Sequence, residues 1–428
     1  MTKPCFQCFL VAAIFACGEG AWLSAAESDW PGFRGPGGQG VSADAKPPVS
    51  WSVAKGVLWK EELPGAGASS PIVVDGKVFV TAYSGYGVPN QRGGSLGDLK
   101  RHVVALSLAD GNVLWQKDIP ASQPEQSCQG ARIGMHGFAT NTPAADAERL
   151  YVFFGKSGVF AFSHDGKQLW RQDVGSNVSD WGSAASPVLY KDFVIVNAFV
   201  ESGAVVALNR QTGKEVWRFN GLKNSWCTPA LVEAPGGKTE LVLGAQWKLL
   251  GLDPDKGQEL WSCGGAATYM VSSAVAQQGI VYVPCQEDHT LAVRAGGRGD
   301  VTRSHVAWKA AKGATVPSPV CHEGYLYFAS DRGVACCLNA KSGEVAYTAE
   351  LKSPGGSMYP SAVLAGGNLY YLSQKGRVYV VAVSKRPAFE LLAENDLADG
   401  SLFNASPAVA GNRLLLRSDR YLYCLGER

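Results

Sequence analysis

The sequence predicts an all-β fold: an eight-bladed β-propeller in which the last blade is completed by the first strand after the leader. Three observations predict it. First, a small hydroxyl residue followed by Pro or Ala recurs along the chain, with the Pro or Ala at 71, 143, 187, 229, 274, 319, 362 and 407. From 143 onward the steps are 44, 42, 45, 45, 43 and 45 residues, and a unit of about 40–50 residues holding several short strands is the signature of a propeller blade. Second, most units end in a Trp-bearing strand: NVLWQKDI, KQLWRQDV, KEVWRFN and QELWSC. Third, the chain holds 51 Gly, 10% aromatics and only 18% charged residues. That composition favours many short strands joined by tight turns, and no long helical period stands outside the leader.

The elements follow in chain order. Residues 1–26 read as a signal peptide, with Lys3, an apolar run over 9–16 and small residues before a cleavage point after Ala26. The run is short for a bilayer span. Three readings stand open: secretion with cleavage, lipid anchoring at Cys17, and retention as a membrane anchor. Residues 27–55 read as an extended arm. Its GPGGQG (35–40) is no phosphate loop, having no strand before it, no helix after it and no Lys-Ser/Thr ending. The arm is expected to pack irregularly against the propeller, anchored by Trp30 and Phe33.

Residues 56–428 are the propeller. In each unit strand A follows the Ser-Pro, a turn such as VDGK leads to strand B, a short strand C follows, and a Gly-bearing turn leads to strand D. GVLWKEEL (56–63) is a strand D with no unit before it, and the final unit, ASPAVAGNRLLLRSDRYLYCLG, supplies A, B and C and stops. Pairing the two completes the eighth blade and leaves no open sheet edge at the seam.

The C-turn-D segments ALSLADGNVLW (105–115), ALNRQTGKEVW (207–217) and GLDPDKGQELW (251–261) resemble the tryptophan docking motif of the pyrroloquinoline-quinone (PQQ) propellers. Two units depart from it: one carries AGGRGDVTRSH before Trp308, and VAVSKRPAFELL has no Trp. In this reading the turn Gly takes a positive φ. Trp59, Trp115, Trp170, Trp217, Trp261 and Trp308 dock their apolar faces on the next blade. The resemblance to PQQ-like repeat propellers covers roughly residues 56–428. It embraces the quinoprotein alcohol dehydrogenases, the non-enzymatic propeller lipoprotein of the outer-membrane assembly machinery, and a group of exported bacterial propellers that DWPGFRGPGGQGVS, HGFATNTP and DWGSAASP resemble.

The resemblance implies a periplasmic or envelope protein, with envelope or exported proteins as partners. The leading expectation is a non-catalytic binding or scaffold propeller that recognises protein segments, and the alternative is a PQQ-dependent dehydrogenase. That enzyme needs a quinone with Ca²⁺, a hard ion that takes six to eight oxygens. No such set assembles in the sequence, where Asp180 is the clearest carboxylate ahead of a strand A, so no cofactor and no metal are expected. Cys336-Cys337 lies in a strand C pattern and reads as buried thiols. The other Cys of the propeller show no metal or haem spacing, no nucleophile elbow marks a serine hydrolase, and the six His are scattered. With 39 basic and 37 acidic residues well mixed, no nucleic-acid footprint exists, and a monomer is expected.

The longest insertions, residues 83–101 and 120–140, join strands on the same face and must lie near each other. On that face, around the channel mouth, the candidate ligand-binding residues are Arg132, His136, Asn141, Asp180, Trp181, Asn224, Trp226, Tyr269, Tyr359 and Asn404. Polar groups mixed with aromatics suit a small polar ligand or a peptide strand.

Overall fold

The computed structural model describes residues 29–91, 93–352 and 357–427. The predicted leader, with Cys17 and the cleavage point, lies outside the described residues. Eight sheets, each with a core of four antiparallel strands, form the blades of a propeller. Blade 1 runs Ile72–Val74, Lys77–Ser84, Lys100–Ser107 and Val113–Pro120 as strands A to D. Strands B and C are almost wholly buried because both their faces meet neighbouring blades, which accounts for their Val-, Phe- and Tyr-rich composition. Strand D is outermost and mostly exposed.

The seam closes as the sequence predicts. Val57–Glu62 pairs antiparallel with Tyr421–Leu425, so the eighth sheet reads D-C-B-A across the two ends of the chain. Trp59 then docks on blade 1 as the other docking Trp do on their neighbours: its Nε1 donates to the Leu108 carbonyl at 2.9 Å. Trp115, Trp170, Trp217 and Trp308 donate likewise to the carbonyls of His164, Arg210, Pro254 and Ala340, at 2.9–3.1 Å. Beneath each indole lies the turn glycine of the next blade. At Gly257 φ is +68°, and a Cβ would stand 2.3 Å from Trp217, so the residue must be glycine for its torsion and for its space.

Trp261 departs from the expected docking. Its indole turns back over Gly251 of its own blade and donates to Glu240 Oε2 at 2.7 Å. The cause is the insertion before Trp308. Gly299–Asp300 pairs parallel with Trp261–Ser262 and adds a fifth strand to blade 4, occupying the place where a docking turn would lie.

At the axis the recurring hydroxyls form a closed circuit. The Ser70 amide donates to Thr142 Oγ1, the Thr142 amide to Ser186 Oγ, and so on through Thr228, Ser273, Ser318, Ser361 and Ser406, whose amide returns to Ser70 Oγ. All eight bonds measure 2.9–3.1 Å. Each innermost amide would otherwise be buried without a partner, which explains why every unit opens with Ser or Thr.

The arm is more ordered than the sequence suggests, because it pairs with the inner strands. Trp30 bridges Val73 of blade 1, the Pro31 carbonyl accepts from Ala145 of blade 2, and Gln39 reaches Ala276 of blade 5. Val41–Ser42 then runs parallel to Leu364–Ala365 of blade 7. The segment between crosses the end of the axis opposite the insertions. One helical turn, Phe199–Ser202, sits in the B-to-C connection of blade 3.

Candidate functional site

The ring and the arm shape the channel into a funnel. Its throat is the hydroxyl circuit, and Phe33 of the arm lines it together with the ring hydroxyls. Its walls are the D-to-A linkers. In an extended linker alternate residues face the same way, so the residue two before each ring hydroxyl also faces the axis: Ala68, Thr140, Ala184, Trp226, Val271, Val316, Tyr359 and Asn404. The cavity has a volume of about 470 Å³, within the range of small-ligand sites.

Six of the ten predicted site residues line this cavity: His136, Trp181, Trp226, Tyr269, Tyr359 and Asn404. The two indoles are braced from behind. The Arg132 guanidinium lies 5.0 Å from the Trp181 ring, and Phe199 packs edge-on to Trp226 at 4.9 Å. Trp226 Nε1 donates to the Gly182 carbonyl at 3.0 Å, which fixes its ring against the neighbouring linker. Both are therefore rigid apolar platforms, the kind that binds at small entropic cost.

The other four predicted residues hold the walls. Arg132 and Asp180 form a pair at 3.7 Å beside Trp181, both more than half exposed. Asn141 is buried and donates to the Ala185 carbonyl at 2.6 Å, tying the blade 2 linker to that of blade 3. Asn224 takes a φ of +45° and donates to the Thr268 carbonyl. Asn404 does both jobs, since it lines the funnel and donates to the Met135 carbonyl, bringing the 120–140 insertion across the mouth. The two insertions meet as predicted: Tyr86 Oη lies 2.9 Å from Ser127 Oγ, and Arg101 pairs with Glu125 at 2.7 Å.

Sequence reasoning missed Phe33, Glu287, Asp331 and Arg332. The last three sit in the B-to-C turns of blades 5 and 6, and these turns reach the cavity. Arg332 Nε pairs with Glu287 Oε2 at 2.9 Å, leaving Glu287 Oε1 buried with no partner among the described residues. Asp331 accepts from the amides of Thr315 and Val316, at 2.6 and 3.1 Å. Burial pushes the His136 imidazole down to about 4, so it is neutral near pH 7 and shares a hydrogen bond with Thr140 Oγ1. Burial, with Asp331 close by, raises the Tyr359 phenol.

This donor set does not fit a calcium-bound quinone. Of the two funnel carboxylates, Asp331 is engaged by two backbone amides and Glu287 by Arg332 through one oxygen, so a single carboxylate oxygen is left for a hard ion that takes six to eight. Among the described residues no group of three or more His, Cys, Asp or Glu side chains could hold a metal. Cys336 and Cys337 are buried free thiols in strand C of blade 6, away from the funnel.

Comparison with known proteins agrees with this architecture. A solved BamB from Moraxella catarrhalis superposes with a TM-score of 0.61 at 14% identity, over 87% of this chain and 97% of its own. The quinohemoprotein alcohol dehydrogenase of Comamonas testosteroni gives 0.64 at 14% identity, over 94% and 82%. At such identities both speak for the fold alone. The outer membrane protein assembly factor BamB of Marinobacter adhaerens is 28% identical over 144 residues, a match covering 33% of this chain and 35% of that protein. The family model described as outer membrane protein assembly factor BamB matches residues 18–131, 99–299 and 287–419, nearly the whole propeller. With the closed ring and its repeating docking turns, that match makes the chain a member of the BamB-like family of PQQ-repeat propellers.

Proposed function

We propose that this protein is a binding propeller of the cell envelope whose funnel takes up segments of exported polypeptides, with no redox chemistry at the axis. The observation that carries this reading is the funnel: two braced indoles and two tyrosines around a throat of neutral hydroxyls, where the described residues bring together no metal-holding group of His, Cys, Asp or Glu side chains. The arm adds support. It is an extended polypeptide held by main-chain bonds to inner strands of blades 1, 2 and 7, which is strand addition carried out within the molecule. The family's description as an assembly factor agrees with an envelope location and with envelope proteins as partners.

The experiment is tryptophan-fluorescence titration of the mature protein with peptides tiled across an unfolded outer-membrane β-barrel protein. Saturable binding that Trp181→Ala and Trp226→Ala each weaken at least about tenfold is expected, truncation of an aromatic hot spot costing about 2 kcal/mol or more. Absence of peptide binding, together with dye-linked alcohol oxidation on adding PQQ and Ca²⁺, would establish the dehydrogenase instead.

A further inference from the structure

Blade 1 holds a second constellation, apart from the funnel. Ser84 Oγ lies 2.7 Å from His102 Nε2, and His102 Nδ1 lies 2.9 Å from Asp118 Oδ1. The three residues sit on strands B, C and D of one sheet. His102 stands opposite Asp118 in register and opposite Ala82, two residues before Ser84 on the same face. With the carboxylate on Nδ1, the neutral ring carries its hydrogen there and leaves Nε2 as an acceptor aimed at the serine hydroxyl. This is the order of contacts that activates a serine nucleophile, recognised by geometry whatever the fold.

Two features separate this from a buried polar network. Strands B, C and D of blade 1 all run eight residues, and Ser84, at the end of strand B, is partly exposed while His102 stays buried. Ser84 also closes strand B, and the next residue, Gly85, takes a φ of +84°, so the chain turns sharply just after the hydroxyl. The amides of Gly85 and Tyr86 make no hydrogen bond among the described residues and are the donors nearest in sequence for a developing oxyanion. Asp118 also accepts from Gln116 Nε2 at 2.7 Å, and these hydrogen bonds hold its carboxyl below the usual range and ionised.

We propose that Ser84 is a nucleophile for short-chain acyl esters, with His102 as its base and Asp118 as the positioning residue. This reading goes beyond ligand binding at the funnel. Ser84 lies in the seam between blades 8 and 1, so an acyl group presented at a surface, such as an O-acetyl ester, reaches it more readily than an extended chain. Ser84 Oγ attacks the carbonyl carbon as its proton passes to His102 Nε2, the ester C–O bond breaks, and the departing alcohol takes that proton. Water then attacks the acyl-serine, gives a proton to His102 and releases the acid, and His102 returns the proton to Ser84.

The test is labelling of the folded protein with a fluorophosphonate, located by peptide mass, alongside hydrolysis of p-nitrophenyl acetate. Modification at Ser84 is expected, with hydrolysis lost in Ser84→Ala. Asp118→Asn should slow labelling at least about 100-fold, the scale of general-base effects, while Asp118→Glu restores it to within about tenfold at unchanged melting. An unmodified Ser84 in folded protein, or hydrolysis equal to wild type in Ser84→Ala, overturns the proposal. Should Ser84→Ala melt early, Ser84→Cys serves instead. Its alkylation by iodoacetamide should run at least about tenfold faster than that of Cys128, and an equal rate overturns the proposal too.

Discussion

The docking of one blade on the next predicts a specific non-additivity. Trp217 is only 8% exposed, and its indole donates to the Pro254 carbonyl at 3.1 Å. Trp217→Ala removes that burial and strands the carbonyl, for a loss of about 3–5 kcal/mol. Gly257→Ala acts from the other side of the contact. A φ of +68° costs an L-residue about 1–2 kcal/mol. The new Cβ, 2.3 Å from the indole, costs about 1–3 kcal/mol more through overpacking. Without the indole the second cost vanishes and the first remains. The double variant should therefore be more stable than the sum of the single losses implies, by about 1–3 kcal/mol. The assay is guanidinium denaturation of the four proteins at a shared slope. Additivity within about 0.5 kcal/mol would refute the claim that indole and glycine form one contact.

Three further outcomes follow from the same structure. Ser406→Ala should cost about 1–3 kcal/mol in denaturant melts because it strands the buried Ser361 amide, and Ser406→Thr should recover most of that loss. Burial raises the Glu201 carboxyl from 4.5 to about 7. The folded state then holds its proton more tightly than the unfolded one, and stability falls as pH rises from about 4.5 to about 7. Glu201→Gln should accordingly gain about 1–3 kcal/mol at pH 8 and nothing at pH 4. His136 carries the opposite sign. Its folded value of about 4 lies below the ordinary 6.5, so protonation favours the unfolded chain, and stability is lost as pH falls from about 6.5 to about 4. Melting profiles of His136→Gln across that window should be flatter.

The propeller and its seam were legible because their cause is periodic. A hydroxyl must stand wherever an innermost amide needs an acceptor, and a Gly wherever an indole lands, so both recur at the blade spacing. The funnel walls were legible in part, since linker residues keep a fixed distance from the ring. Glu287, Asp331 and Arg332 were not, because they sit in B-to-C turns, whose reach toward the axis no spacing records. Phe33 sits in an aperiodic arm whose path depends on contacts with several blades. Trp261 shares the docking motif, and only the strand added by the blade 5 insertion turns it inward. Ser84, His102 and Asp118 are brought together by register across three strands, so no local pattern announces them.

Every statement about the funnel depends on the ring being closed at its seam. Glu62 and Tyr421 are register partners there, and Leu63 N–H donates to the Arg420 carbonyl at 2.8 Å. Mild oxidation of a Glu62→Cys, Tyr421→Cys variant, read by peptide mass on the folded monomer, measures that pairing directly. A closed ring yields an intramolecular disulfide between the two ends of the chain. A folded monomer that forms none, or links only to other molecules, would contradict it.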